Sequence, residues 1–204
     1  MKKISIRVLA AVFATATLFV ACNGTQENKE AATRTEATEQ THDHGAAAGA
    51  EVVKQAEAAI TGTYPDTAVN GTAKFVTNEN GTVTLNLSIS IPARANKSVA
   101  VHVHEHGDCG DHGNASHGHW NPTGDPHGKW GSDKGFHLGD IGNVELDTQG
   151  NGTLEIKETG LWSLGGKAET SLLGKAIIVH GGVDDYTTQP TGNAGNRIGC
   201  GVIQ

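Results

Sequence analysis

Basic residues are few in this 204-residue chain, with 15 lysines and arginines against 22 aspartates and glutamates. A surface with that balance repels phosphate backbones, which excludes nucleic acid as a partner. Aromatic residues are scarce as well: three tryptophans, two tyrosines and four phenylalanines. Glycine is abundant by contrast, at 28 residues, and valine, isoleucine and threonine recur in short runs. That composition favours strands and turns over long helices. Cysteine is limited to three, an awkward number for an exported protein unless one is otherwise engaged. An apolar stretch from Val8 to Ala21 is shorter than a membrane span requires. The length suits one ordinary domain with appendages and not two large ones.

Lys2, Lys3 and Arg7 precede that apolar stretch, and residues 1–21 together read as an export signal. The stretch ends in "LFVAC", which resembles the lipobox of bacterial lipoproteins, where cleavage before the cysteine leaves its thiol to carry lipid. Cys22 is then the lipidated residue, and the expected location is the bacterial cell envelope, with membrane contact through the lipid. Removing the three basic residues of the signal leaves 12 against 22, a formal charge of −10. Residues 22–50 form the tether: from Asn23 to about Ala50 the chain has almost no large apolar side chain with which to offset its ordering entropy. As a flexible coil it reaches roughly 30 Å. The "HDHG" of His42 to Gly45 reads as part of this solvated linker. With Cys22 engaged, Cys109 and Cys200 remain as an even pair. A disulfide between them closes a loop of about ninety residues, stabilising by roughly 4 to 5 kcal/mol on chain-entropy grounds, and it implies an oxidising compartment.

From residue 51 onward, alternating patterns recur at short intervals. "AEAAITGT", "VNGTAKFVT" and "TVTLNLSISI" predict three strands, the last two joined through the Asn80-Gly81 turn. "SVAVHVHEH" predicts a fourth, followed by "GNVELD", "GTLEIKE", "GKAIIVHG" and "RIGCGVI". Eight short strands and no helical periodicity point to an all-β antiparallel barrel or sandwich. The interval from Gly107 to Gly139 is too long for a hairpin loop, and such loops in compact domains are usually functional or disordered.

That interval is rich in histidine. Along a strand alternate side chains share a face, so His102 and His104 can approach one ion together. His106 has the same parity, but Gly107-Asp108 looks like a strand end, where alternation fails. His119, His127, His137 and Asp140 follow, and His180 ends the apolar run "AIIV". So many imidazoles in one region would repel one another below their ordinary pKa of about 6.5, whereas neutral imidazoles are suited to zinc and copper.

"VHVHEHGDC", "HWNP", "HLGDIGN", "VHGGVDD" and "GNAGNRIGCGVI" occur in that order. On these motifs the chain resembles copper/zinc superoxide dismutase, in a bacterial lipoprotein form, from about Ala56 to Gln204. The resemblance implies an eight-stranded antiparallel Greek-key barrel with long metal-binding and electrostatic loops. It implies copper on His102, His104, His119 and His180, and zinc on His119, His127, His137 and Asp140, one ion of each per subunit. His119 would bridge both. Four nitrogens suit tetragonal copper(II), and three nitrogens with a carboxylate suit a closed zinc site.

In the reaction so implied, superoxide anion is converted to dioxygen and hydrogen peroxide as copper cycles between two oxidation states, with His119 delivering a proton. Asp184 would orient one ligand on each side through hydrogen bonds, and Cys109 and Cys200 match the family disulfide. Arg197 would guide the anion to copper. The preceding "YTTQPTGNAGN" has no lysine or glutamate, unlike the corresponding loop of animal members. His112 and His117 read as exposed loop residues, and Trp120 and Trp130 as packing residues. Bacterial members differ in whether they pair, which leaves a homodimer open. The alternative reading is a non-catalytic copper/zinc-binding envelope lipoprotein, which would need the ligands but not Arg197 or Asp184. A purely structural or adhesive lipoprotein leaves the histidines without a purpose.

Overall fold

The structure, a computed structural model, describes residues 53–204. The expected export signal, Cys22 and the tether lie outside the described residues. Eight strands follow in chain order: β1 (Gln55–Gly62), β2 (Asn70–Thr77), β3 (Val83–Ser90), β4 (Ser98–His104), β5 (Gly142–Glu145), β6 (Asn151–Thr159), β7 (Ala176–His180) and β8 (Arg197–Val202). Every pairing is antiparallel. Each strand falls within or next to a run expected from alternation, but β4 stops at His104, two residues short of the expected end. Two short 3-10 turns, Pro92–Arg94 and Asp111–Ser116, were not legible from periodicity.

The strands form one sheet in the order β5-β4-β7-β8-β1-β2-β3-β6. β3 pairs with β6 and passes over β4 and β5, while β8 returns to β1, giving the crossed connections of a Greek key. The outermost strands in this order, β5 and β6, are joined by a tight turn in which Asp147 Oδ1 accepts from Gln149 N and Asn151 N, both at 2.8 Å. Gly152 of β6 lies so close to Val144 of β5 that a side chain there would collide with it. The sheet thereby nearly closes into a barrel.

β1 and β3 have the one-sided alternation of strands facing a core on one side and water on the other. Ala56, Ala58 and Ile60 of β1 and Val83, Leu85, Leu87 and Ile89 of β3 point inward. β4 and β7 differ, since nearly every residue in both is buried. On β4, Val99, Val101 and Val103 join the barrel core, while Ala100, His102 and His104 occupy the opposite face. Two long connections cover that outer face, residues 105–141 between β4 and β5 and residues 181–196 between β7 and β8. Ala100 N donates to Gly182 O at 2.8 Å, tying the second cover directly to β4.

Cys109 of the first cover is bonded to Cys200 of β8. The expected pairing is therefore present, and it fixes the loop after β4 to the far side of β7. Trp120 is buried with Lys175 Nζ 4.6 Å above its ring, and Trp130 packs on Trp162 and Phe136. Both are packing residues, as expected.

Candidate metal centre

Three ligand-bearing segments meet through a ring of backbone hydrogen bonds. Trp120 N donates to Val103 O (2.8 Å), Val103 N to Gly139 O (2.8 Å) and Gly139 N to Trp120 O (2.9 Å). Gly139 approaches so closely that a Cβ would strike the Val103 carbonyl, so only glycine fits. This stitching brings together His102 and His104 on β4, His119 beside Trp120, and His137 and Asp140 beside Gly139. His180 arrives from the end of β7, opposite Arg197, where an irregularity in the β7–β8 register lies between Val179 and His180.

Two buried groups of four result. His102, His104, His119 and His180 form one, and His119, His127, His137 and Asp140 form the other, with the ligand atoms of each group within 4.8 Å of one another. His119 belongs to both. All seven residues expected as ligands are thus brought together, and none falls elsewhere.

The orientation of each ring is set by the nitrogen that does not face the centre. His104 Nδ1 donates to His117 O at 2.8 Å, and His180 Nδ1 to Gly195 O at 3.1 Å. His102 Nε2 bonds Asp184 Oδ2 and His127 Nε2 bonds Asp184 Oδ1, both at 2.9 Å. Asp184 therefore spans the two groups as expected. Its backbone N donates to Asn143 Oδ1 and its carbonyl accepts from Asn143 Nδ2, which hold it in turn.

The remaining ring nitrogens are His102 Nδ1, His104 Nε2, His119 Nε2, His180 Nε2, His127 Nδ1 and His137 Nδ1, all buried without a hydrogen-bond partner. His127 Nδ1 comes within 3.0 Å of Asp140 Oδ2, but off the angle of a hydrogen bond. A buried polar atom left unpaired costs about 1–3 kcal/mol. Six of them gathered into two groups is the pattern of a donor set for two cations. One set has four nitrogens; the other has three nitrogens and a carboxylate, since His119 Nδ1 faces Asp140 Oδ1 at 2.8 Å. These match the preferences of copper(II) and zinc.

Two further residues went unnoticed in the sequence. Gln189 brackets His127, accepting from its backbone N (2.8 Å) and donating to its carbonyl (2.9 Å). Gly192, at φ +64°, lies where a Cβ would collide with Asp184 Oδ1 and with His127 Nε2. A short polar loop gives no pattern that would single out either one.

Arg197 opens β8 and reaches into the cover. Its Nη1 donates to Gly113 O (2.6 Å) and Ser116 Oγ (3.0 Å), and its Nη2 to His117 O (2.6 Å). A guanidinium has five N–H groups, so two remain for an anion. His106, His112 and His117 lie outside both buried groups. His112 donates to Thr63 O and stacks on Tyr64.

Burial, and then repulsion from neighbouring imidazoles, holds His104 well below the ordinary value of 6.5 and His180 at about 3. Burial takes His119 down to about 4 against a partial lift from Asp140. His127 moves the other way: burial disfavours its charge, but Asp140 and Asp184 outweigh this and raise it to about 9. Burial alone would raise the Asp140 and Asp184 carboxyls, yet the histidines around them hold both well below the usual carboxylate range.

A pH dependence follows for the metal-free protein. Below pH 6.5 the unfolded chain protonates His104, His119 and His180, while the folded chain resists until about 4 at His119 and about 3 at His180. Stability from these groups is present above 6.5 and is lost as pH falls through that window. The His119 shift alone corresponds to about 3 kcal/mol. His127 contributes oppositely, fully below 6.5 and lost as pH rises through 9. Denaturant midpoints of metal-free protein should fall between about pH 7 and about pH 4; a flat profile would contradict the burial account.

The comparisons agree with this geometry. The sequence profile of the family described as "Copper/zinc superoxide dismutase (SODC)" matches residues 69–203. "Superoxide dismutase [Cu-Zn]" of Botryotinia fuckeliana is 34% identical over 144 residues, covering 68% of this chain and 91% of the relative. "Superoxide dismutase [Cu-Zn] 1" of Aquifex aeolicus (strain VF5) is 37% identical over 92 residues, 44% of this chain and 54% of the relative. That second match spans about half of the relative's length. Among solved structures, the clock protein EA4 superposes with a TM-score of 0.63 at 29% identity, covering 75% of this chain and 95% of its own. A double mutant of a SOD-like protein from Bacillus subtilis gives 0.62 at 29% identity, covering 72% and 95%. With the family profile spanning most of the barrel and a donor set for two cations at its outer face, the chain belongs to the copper/zinc superoxide dismutase family.

Proposed function

We propose that the chain converts superoxide to dioxygen and hydrogen peroxide, holding copper through His102, His104, His119 and His180 and zinc through His119, His127, His137 and Asp140. The single observation that carries this reading is His119, whose unpaired Nε2 faces one group while its Nδ1 faces Asp140 of the other. Bound copper supplies the one-electron couple that takes an electron from one superoxide and returns it to the next.

The chain's own residues do the rest. His104 and His180 are kept neutral by burial, so their lone pairs are ready at neutral pH. His119 would be shared by the two donor sets, and its Nε2 is placed to hold one proton for the departing peroxide, the other coming from water. The contact of its Nδ1 with Asp140 Oδ1 fixes the ring's orientation. Asp184 fixes His102 and His127 together, so the two halves of the centre cannot rotate independently. Arg197 presents its two remaining N–H groups to the incoming anion. The loop before it, residues 186–196, carries no lysine or glutamate, so that segment adds no positive field to that of the guanidinium.

The test is superoxide consumption by the copper- and zinc-loaded protein and its Arg197→Ala variant. The variant should keep its copper while kcat/KM falls about tenfold and loses salt dependence. Arg197→Lys, which keeps the charge but not the fork, should be intermediate. A loaded wild-type chain inert toward superoxide would leave only metal buffering, and unchanged kinetics in the alanine variant would reject the guiding role. The proposal extends to place: export through residues 1–21 and lipid on Cys22 would station the enzyme in the bacterial envelope. Cys22→Ser should then leave the membrane fraction, and its retention there would refute the anchor.

A further inference from the structure

The two segments that meet at His104 and His119 stay hydrogen-bonded a little further outward. Those two residues stand opposite each other in an antiparallel bridge. Beyond it Glu105 N donates to Gly118 O at 3.1 Å and His106 N to Ser116 O at 3.2 Å. The register slips at that point, with His117 at φ +61° outside strand geometry, but the His106 and His117 side chains still meet. The two imidazoles meet edge to face with centroids 4.4 Å apart. Glu105 brings a carboxylate to the same place, and the ligand atoms of all three lie within 4.8 Å of one another.

A second histidine pair thus lies just outside the first, in a different setting. The inner pair is buried and belongs to sets of four ligands, whereas Glu105, His106 and His117 are exposed. Two imidazoles and a carboxylate with solvent on the open side form a donor set for zinc with one position left to water. We propose that Glu105, His106 and His117 form a third, solvent-facing site for a divalent first-row cation, zinc above all. It is a different site from the two buried groups and does not depend on what they catalyse. Backbone joins it to them: Glu105 follows His104 directly, and the His117 carbonyl accepts from both His104 Nδ1 and Arg197 Nη2.

The experiment is equilibrium dialysis of zinc against the full chain with both buried groups already filled. A His42→Ala/His44→Ala background removes the other histidine pair from the count. One further equivalent should bind in that background, and its affinity should fall by at least about tenfold in His106→Ala and again in Glu105→Gln. The copper and zinc retained by the buried groups report that each variant is folded. Absence of a further equivalent, or one that both substitutions leave at full affinity, overturns the proposal.

Discussion

Replacement of His119 by alanine is expected to abolish nearly all superoxide turnover and to weaken both metals at once. The double loss is the distinguishing part. An ordinary ligand belongs to one donor set, so its removal leaves the neighbouring ion bound. His119 contributes to two sets, and the variant leaves each with three of its four ligands. A proton donor of this type contributes about 10²–10⁴-fold to rate, and kcat/KM should fall within that range even when copper is supplied in excess. Metal content after dialysis, together with superoxide assays at saturating copper, measures both effects. A variant that gives up copper but keeps zinc at wild-type affinity would show that the ring is not shared. The barrel should survive the change, because its core is filled by apolar side chains, those of β1, β2 and β3 among them, and His119 is not one of them.

The second large effect is expected at a residue that faces neither ion. Asp184→Asn preserves shape and nearly all volume, but it replaces a carboxylate that bonds both His102 Nε2 and His127 Nε2 with an amide that can accept from only one of them. Zinc affinity should fall about 10- to 100-fold. Copper should be retained better, since His104 and His180 are anchored independently by backbone carbonyls. Loss of the second carboxylate should also lower the raised pKa of His127, because Asp184 is one of the two groups that offset the effect of burial there. Zinc titrations of wild type and variant at several pH values separate this from simple destabilisation. A general loss of stability would weaken both metals alike, whereas the positioning role predicts a zinc-selective loss and a shifted His127 titration.

The strands were legible because one-sided burial writes a period of two into β1 and β3. β4 and β7, buried on both faces, were legible for other reasons: β-branched residues and histidines at alternate positions. Where β4 ends was not legible. "SVAVHVHEH" keeps alternating through His106, but pairing with β7 stops at His104 and the chain turns to meet the loop instead. Strand order was beyond periodicity altogether, since nothing local tells β3 to pair with β6 and not with β4; only the family motifs carried that. Ligand types could be read from composition and spacing, whereas the choice of ring nitrogen could not. His102 and His104 lie two residues apart on one face, yet one leaves Nδ1 free and the other Nε2, because Asp184 takes one ring and the His117 carbonyl the other. Gln189 and Gly192 act through shape and hydrogen bonds within a loop whose composition is ordinary.

β4 presents valines to the barrel interior and histidines to the outer face, so a single stretch of backbone answers to two masters. Shaving Val101 or Val103 to make room inside would shift the pleat, and with it the anchoring of rings on the reverse side. Attempts to re-tune this centre by laboratory evolution should therefore find few tolerated changes along the strand. The accepted ones would gather in the two coverings, where Gln189 and the loop partners of Arg197 can be exchanged without disturbing the interior.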